Sequence, residues 1–405
     1  MKTRLLTFKS LLLICVLAIV GGAQAWAQTY TYKLVDDGEI IDGGVYILAN
    51  TFSYTSKKQT FTVQRAMGEA VTKKSNRKAV AVTIAEDNTI TTSAVNLTEY
   101  PYEVVAIKVE GGYKFKLSNG KYLANRRAIV SGKTKNYLVE DDVDADGVIF
   151  SAVFNSKDKT FTFSNTYSGV EGILQFNINS STQLVSCYGK NSNMKDSQLY
   201  RKVASFSISS AGYATYFTDK AFTMPEGVTG DIITANNGNN ILTIEDKYPA
   251  GSVVPASTAL LLKGAEKEYT CNVVTTTETA PANNLLHGTT TDEETNAGEG
   301  TYKYYKLSYD DNDANLGFYW GAENGAAFTN KAGKAYLAVP VTEGQSMAKG
   351  FSLSDLANGT TTSIQQASIA DKAVPIFDIN GRRVSTLNGA AKGVYIVDGK
   401  KVMVK

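Results

Sequence analysis

The chain has 405 residues, with 41 Lys and Arg against 39 Asp and Glu, a net charge of +2 and a single histidine. A charge this close to neutral gives no electrostatic basis for binding nucleic acid. A single histidine excludes zinc sites that need several histidine ligands. It is also the one residue that could act as the base of a Ser-His-Asp triad. The length suggests two or three domains.

Residues 1–27 have the three parts of a cleavable secretory signal peptide. The segment carries three basic residues and no acidic one, an apolar stretch covers 11–20, and small residues precede a cleavage site after Ala27. The apolar stretch is shorter than the ~20 residues of a membrane-spanning helix, and no later segment is long and apolar enough. We therefore expect an exported protein with no transmembrane segment after processing, in which 38 basic and 39 acidic side chains remain.

The segment 28–203 alternates apolar and polar residues between turn residues, which predicts an antiparallel β-sandwich or barrel domain. The dipeptide Asn119-Gly120 predicts a two-residue hairpin turn with positive φ at both positions. Phe154 and Phe161 are predicted to face each other across a turn at Lys157-Asp158. No window of helical period competes with the strand pattern.

The segment 204–357 predicts a second antiparallel β domain that includes an aromatic hairpin. Residues 358–373 are polar and threonine-rich without periodicity, and we interpret them as a linker. Residues 374–405 contain four short strand patterns around the turn dipeptides Asn380-Gly381 and Asp398-Gly399. A module this small buries too little apolar surface to be stable alone, and we expect it to pack against another protein surface.

The C-terminal segment resembles a known family through three motifs: Ile376-Phe377-Asp378-Ile379-Asn380-Gly381-Arg382-Arg383-Val384, Lys392-Gly393-Val394-Tyr395-Ile396-Val397 and Lys400-Lys401-Val402-Met403-Val404-Lys405. These motifs resemble the C-terminal sorting domain of type IX secretion substrates in Bacteroidota. The resemblance implies an envelope-directed protein whose partner is the envelope or the secretion machinery. The middle unit is similar to a β module that recurs in the same proteins, and no activity can be carried over from it.

No recognisable catalytic constellation is present in the sequence. His287 stands in an Asn- and Thr-rich segment far from either cysteine, and we expect it in a turn or at the surface. No glycine-rich phosphate loop opens a helix. Paired carboxylates could hydrolyse glycosidic bonds, but no glycosidase signature surrounds any acid. Cys187 and Cys271 fall in different predicted domains, which favours two buried free thiols over a disulfide.

An acidic segment, residues 142–147, is the best candidate for a metal site. Asp142, Asp144 and Asp146 stand at alternate positions and are closed by a glycine, as in the first half of a calcium loop. Val153 occupies the position of the bidentate acid, so the last ligand would have to come from elsewhere in the fold. A solvated hairpin loop is the alternative interpretation. A weaker repeat of the spacing consists of Asp311, Asp313 and Asn315.

The aromatic run between residues 302 and 320 is the candidate site for a carbohydrate. Tyr319 and Trp320 are the residues that we select, because aromatic faces stack on sugar rings. The alternative is that Tyr302 and Tyr304 share one strand face and pack the hairpin against the core.

The predicted fold is all-β: two antiparallel β-sandwich or barrel domains and a small C-terminal β-hairpin module. The function that we favour is a non-catalytic exported protein of the cell envelope or surface, with structural or adhesive β domains. A surface protein that binds a glycan or a host-cell ligand is the alternative, and an unrecognised secreted hydrolase is the third. No cofactor is expected apart from calcium at the acidic segment.

Overall fold

The computed structural model describes residues 29–56, 58–71, 75–177, 183–191, 193–236, 241–310, 315–341 and 347–358, together with the backbone of four strands between 376 and 404. The predicted signal peptide and nearly all of the predicted linker lie outside the described residues. Strands make up 57% of the structure, and the one α-helix in the described ranges has six residues. The all-β prediction is confirmed.

The first unit is a curled antiparallel sheet with a small two-stranded ribbon beside it. Its strands are β1 (Tyr30–Leu34), β2 (Val45–Ser56), β3 (Gln59–Ala70), β4 (Arg77–Ala81), β5 (Thr89–Thr92), β6 (Glu103–Val109), β7 (Gly112–Lys116), β8 (Tyr122–Asn125), β9 (Ala128–Val130), β10 (Lys133–Lys135), β11 (Leu138–Asp141), β12 (Ser151–Asn155), β13 (Thr160–Tyr167), β14 (Val170–Asn177), β15 (Leu184–Tyr188), β16 (Met194–Asp196) and β17 (Gln198–Ile208). Strand β1 pairs with β5 and β17, and β2 pairs with β3, β6 and β17, so the sheet folds back on itself.

The core of this unit is rich in phenylalanine. Strands β12 and β13 pair Phe154 with Phe161 and Ala152 with Phe163, as the alternation predicts. The two rings of β13 are completely buried and stack on each other with centroids 5.6 Å apart. Complete burial of one such ring stabilises the fold by about 1.5–3 kcal/mol, so these strands are firmly held and their outer face has a fixed position.

The turn between β7 and β8 differs from the predicted two-residue turn. Only Gly120 has a positive φ, at 83°, whereas Asn119 does not. The N–H of Gly120 donates to the carbonyl of Leu117 over 3.0 Å, and the N–H of Leu117 donates to the carbonyl of Lys121 over 2.7 Å. This is the three-residue hairpin loop in which a tight turn is followed by a glycine bulge.

Strand β17 belongs to both units. Its first part pairs with β1 up to Val203, and its second part pairs with β24 (Lys267–Val274) from Val203 to Ile208. The predicted domain boundary between residues 203 and 204 therefore lies in the middle of an uninterrupted strand.

The second unit stacks three β layers. The end of β17 with β19 (Ala221–Thr223), β22 (Val253–Val254) and β24 forms one layer, and the middle layer contains β18 (Tyr213–Tyr216), β20 (Val228–Asn236), β21 (Ile241–Tyr248) and β23 (Leu260–Gly264). Leu260 and Leu262 of β23 face one core, and Leu261 faces the other. A strand buried on both faces needs a continuous apolar run, which explains the three consecutive leucines.

The outer layer completes this stack. Its strands are β25 (Leu286–Gly288), β27 (Tyr302–Tyr309), β28 (Leu316–Trp320), β30 (Ala335–Pro340) and β31 (Gly350–Ser352), followed by α1 (Leu353–Asn358), and a short ribbon of β26 (Glu293–Glu294) and β29 (Thr329–Asn330) lies beside it. A separate sheet contains β32 (Ile376–Asp378), β33 (Arg383–Val384), β34 (Gly393–Val397) and β35 (Lys400–Val404) in the order β33-β32-β34-β35. The four predicted C-terminal strands are therefore present.

Candidate functional site

A large polar groove lies on the outer surface of the first unit. It has a volume of about 1130 Å³ and is formed by β2, the β12–β13 hairpin, β14, β16 and the start of β17. We call it the polar groove and define it by Asn50, Thr162, Gln175, Asp196 and Gln198. Its volume is slightly larger than the range of about 300–1,000 Å³ for pockets that bind small organic ligands.

Strand alternation explains why polar side chains gather there. Thr162 lies between Phe161 and Phe163, and Gln175 lies between Leu174 and Phe176. The phenylalanines and Leu174 point into the core of the first unit, so the intervening residues point to the opposite face of the sheet. Two strands whose apolar side chains fill one core thus place a hydroxyl and an amide in the same groove.

Asp196 is the central acceptor of the polar groove. Its Oδ1 accepts a hydrogen bond from Gln175 Nε2 over 2.6 Å, and its Oδ2 accepts one from the hydroxyl of Thr162. Its backbone carbonyl accepts a hydrogen bond from Asn50 Nδ2 over 2.5 Å. One residue therefore links β2, β13 and β14 to β16 and fixes the orientation of three polar side chains.

The amide of Gln175 is only half satisfied. The residue is 6% exposed, and its Oε1 has no hydrogen-bond partner among the residues that the structure describes. Ser197, the next residue after Asp196, has a buried hydroxyl in the same condition. An unpaired buried polar group costs about 1–3 kcal/mol, so these two atoms reduce the stability of the first unit.

The rest of the groove combines charges at the rim with a small apolar surface. Glu171, Asp158, Lys190 and Lys195 are exposed rim residues, whereas Ile173 is buried. Gln198 spans the groove floor, since its Nε2 donates to the carbonyl of Asp158 over 3.1 Å. The arrangement offers fixed amide, hydroxyl and carboxylate groups to a ligand with many hydroxyls.

The acidic segment at residues 142–147 is surrounded by basic side chains. Asp142 accepts from Lys121 Nζ over 2.6 Å, and Lys114 Nζ donates to the carbonyl of Val143 over 2.8 Å. Arg126 donates to the backbone carbonyl of Asp146. No group of three or more His, Cys, Asp or Glu side chains that could hold a metal was found among the described residues.

Calcium at Asp142, Asp144 and Asp146 stays a prediction, and an ion there would have to replace the Lys121 ammonium at Asp142. Of the weaker repeat, Asp311 and Asp313 lie outside the described residues.

Tyr319 and Trp320 are neighbours on β28 and therefore project to opposite faces of the outer layer. The indole of Trp320 packs against the core between the middle and outer layers. The hydroxyl of Tyr319 donates to the carbonyl of Asn315 over 3.1 Å. Both side chains are partly buried, and the structure does not bring the two rings together as one stacking surface.

A separate aromatic cluster covers the outer face of that layer. The ring of Tyr336 lies 5.9 Å from those of His287 and Tyr304, and Tyr302 lies 6.3 Å from Tyr304. The shared strand face of Tyr302 and Tyr304 is confirmed, and the next residue, Tyr305, fills the core in their place. His287 lies in β25 and is partly buried, in contrast to the turn or fully exposed position expected, and burial lowers its pKa.

The two cysteines are free and buried in separate cores. Burial raises the pKa of the Cys187 thiol far above its ordinary value and that of Cys271 to about 12. Both thiols are therefore protonated at neutral pH and are poor nucleophiles.

Comparison with known proteins assigns no family. No protein-family model matches this chain, and a search of curated proteins gives no significant match. In the described residues, no helix is long and apolar enough to cross a membrane.

The polar groove is the site that sequence reasoning missed. Its members come from separate strands, and no fixed spacing connects Asn50, Thr162 and Asp196. The one local signal is Gln175, which interrupts the apolar run Ile173-Leu174-Gln175-Phe176.

Proposed function

We propose that this chain is a non-catalytic carbohydrate-binding protein, exported to the cell surface, whose ligand occupies the polar groove. The observation that carries the proposal is the set of polar side chains, Asn50, Thr162 and Gln175, that Asp196 holds in place in a groove of about 1130 Å³.

The chemistry of the groove supports a polyhydroxylated ligand over an apolar one. Each sugar hydroxyl both donates and accepts, and Asn50, Thr162, Gln175 and Gln198 offer groups of both kinds. Their hydrogen bonds to Asp196 and Asp158 fix these groups before the ligand arrives, which reduces the entropy lost on binding. The apolar surface at Ile173 can contact the C–H face of a ring.

The hydrogen bonds of Asp196 support a role in holding the groove in shape. Both carboxylate oxygens of Asp196 already accept hydrogen bonds from Gln175 and Thr162. We therefore assign Asp196 the role of orienting its neighbours.

The test is isothermal titration calorimetry of the exported chain with a panel of neutral gluco-, manno-, xylo- and galacto-oligosaccharides. We expect at least one member to bind, and we expect Gln175→Leu and Thr162→Ala to weaken it about tenfold or more, as loss of one good hydrogen bond implies. Thr270→Ala is the matched control, since Thr270 is an exposed strand threonine of β24 outside the groove.

Two results would contradict this assignment. Absence of heat with the whole panel would remove the carbohydrate proposal. Binding that is lost in Trp320→Ala but unchanged in Gln175→Leu would move the site to β28, where Tyr319 and Trp320 are the candidate residues.

The proposed export rests on residues 1–27 and on the C-terminal resemblance. We propose that residues 374–405 direct the chain to the envelope or its secretion machinery, with the four-stranded sheet as the recognised element. Surface labelling of intact cells should detect the full chain and lose a chain that lacks 374–405. Equal display of both chains would refute the sorting role.

A further inference from the structure

A second groove lies in the second unit, where residues of all three layers line it. It has a volume of about 500 Å³ and is lined by residues of β17, β18, β27, β29 and the turn that follows β29. We call it the lysine groove, after Lys306, Lys331 and Lys334.

The charged side chains that line this groove are all positive, while Asp292, Glu293 and Glu294 lie beside it. No Asp or Glu is among its lining residues. Lys331 pairs with Asp292 over 2.6 Å, but within the described part of the chain no carboxylate lies at ion-pair distance from Lys306 or Lys334. Lys306 and Lys334 are exposed cations without such a partner among these residues, so the groove is suited to an anion.

The turn that carries two of the lysines is held firmly. The N–H of Lys334 donates to the carbonyl of Lys331 over 3.0 Å, and Gly333 between them has a φ of 73°. Asn330, which is 5% exposed, donates from its side chain to the carbonyls of Lys331 and Lys334 and to the hydroxyl of Thr289. The backbone that presents Lys331 and Lys334 is therefore fixed before any ligand binds.

The same turn is bonded to the neighbouring layer. The N–H of Gly333 donates to the carbonyl of Thr289 over 2.8 Å, and its own carbonyl accepts from the N–H of Phe217 over 3.0 Å. The N–H of Ala335 donates to the hydroxyl of Thr215 over 3.2 Å. These bonds set the turn against the floor of the groove.

Aromatic residues complete the groove. Tyr213 and Phe328 are partly buried lining residues, and Lys263 Nζ lies 6.0 Å from the centre of the Tyr213 ring. The hydroxyls of Ser207 and Thr215 also line it. The groove thus combines separate positive charges with ring faces and small polar groups.

We propose that the lysine groove binds an acidic oligosaccharide, one that carries carboxylate or sulfate groups. Lysine ammoniums are point charges, and their spread around the groove suits several anionic groups along a chain better than one phosphate. No arginine lines the groove to grip a phosphate by paired hydrogen bonds. The positive charge of the lysine groove does not depend on what the polar groove binds. The choice of a carbohydrate as its ligand rests on the proposed function.

The experiment titrates the exported chain with oligogalacturonate, which carries carboxylates, and with a sulfated chondroitin oligosaccharide. A neutral cello-oligosaccharide and inorganic sulfate serve as further probes. We expect one acidic saccharide to bind, with affinity falling as NaCl rises from 50 to 500 mM because salt screens exposed charges. The double variant Lys306→Gln/Lys334→Gln should bind it at least tenfold more weakly.

The matched control is Lys133→Gln/Lys135→Gln, which removes two exposed strand lysines of β10 and the same total charge. Equal weakening by both double variants would show non-specific attraction and overturn the site. Inorganic sulfate that binds as tightly as the saccharide would overturn the carbohydrate ligand.

Thermal unfolding should show no loss of stability in Lys306→Gln/Lys334→Gln, since the variant relieves repulsion.

The two grooves are distinguished by the class of sugar that each variant affects. If the polar groove is wrong, Gln175→Leu fails to affect neutral sugars, while the effect of the lysine variant on acidic sugars remains. If no acidic saccharide binds at all, the proposal for the lysine groove is wrong whatever the neutral panel shows.

Discussion

Asp231 and Asp246 face each other across the β20–β21 hairpin, at a point where the register shifts. The carboxyl of Asp231 is 3% exposed and hydrogen bonds to that of Asp246, which lies at the surface. Burial and then the charge of Asp246 raise the pKa of Asp231 to about 7, and Lys263 opposes the shift. Asp231 therefore keeps its proton in the folded chain over a pH range in which the unfolded chain has lost it.

Asp231→Asn should change how stability depends on pH. A raised carboxyl pKa means that the folded state binds more protons than the unfolded state between about pH 4 and 7, so stability falls as pH rises through that range. Asparagine can donate to Asp246 without ionising. We expect the variant to exceed the original chain by on the order of 2 kcal/mol at pH 8 and to match it near pH 4.

Urea unfolding at pH 4, 6 and 8 measures this difference. Asp246→Asn is the companion variant, and it should reduce the pH dependence by less, because burial of Asp231 remains. Parallel pH profiles for Asp231→Asn and the original chain would contradict the prediction.

Glu140→Gln should destabilise the first unit. Arg77 is 1% exposed, donates to Glu140 Oε1 over 2.7 Å, and lies 4.3 Å above the ring of Tyr102. Removing the partner charge leaves a buried cation uncompensated, which costs about 3 kcal/mol. Glu245→Gln breaks the exposed pair with Lys247 and should cost less than about 1 kcal/mol by the same urea measurement. Equal effects of the two variants would show that burial of Arg77 is unimportant.

Serine should be tolerated better at Cys271 than at Cys187. The Sγ of Cys271 donates to the carbonyl of Ala204 over 3.4 Å, and a hydroxyl can make the same bond. Cys187 is completely buried in the core of the first unit, where a hydroxyl loses its hydration. We expect a loss of about 1–3 kcal/mol for Cys187→Ser and less for Cys271→Ser. The reverse order of unfolding midpoints would contradict this assignment.

Lys121→Gln tests calcium at the acidic segment. Because the ammonium of Lys121 occupies Asp142, its removal should increase any stabilisation by calcium. We expect 5 mM CaCl₂ to raise the melting temperature of Lys121→Gln more than that of the original chain. Lys108→Gln, an exposed lysine of β6 far from this segment in sequence, is the control. Unchanged melting temperatures in all three chains would remove the calcium prediction.

Much of the fold could be predicted, because strand alternation is local. The pairing of Phe154 with Phe161 and the four C-terminal strands follow from neighbouring residues and their turns. The predicted type of the turn at Asn119-Gly120 was wrong. The dipeptide alone does not reveal that hydrogen bonding between the two strands begins again only at Lys121. The position of β23 in a middle layer could not be predicted, because its three leucines do not indicate which strands cover each face of the sheet.

The candidate site was less predictable, because tertiary structure assembles it. Thr162, Gln175 and Asp196 are ordinary polar positions in three strands, and only the register of β13, β14 and β16 brings them together. The lysine groove likewise joins Lys306 with residues of a distant turn. Tyr319 and Trp320 were conspicuous as aromatic neighbours, but adjacent residues of a strand point to opposite faces.

Strand β17 has a mechanical consequence. A chain cut after Ile208 would leave β24 without the partner that it has from Val203 to Ile208, and the exposed edge would invite pairing with other chains. Each half is therefore expected to fail when expressed alone. If the chain is held at one end on a surface, force applied at the other end passes along β17, in which Gln198 lines the polar groove and Ser207 lines the lysine groove.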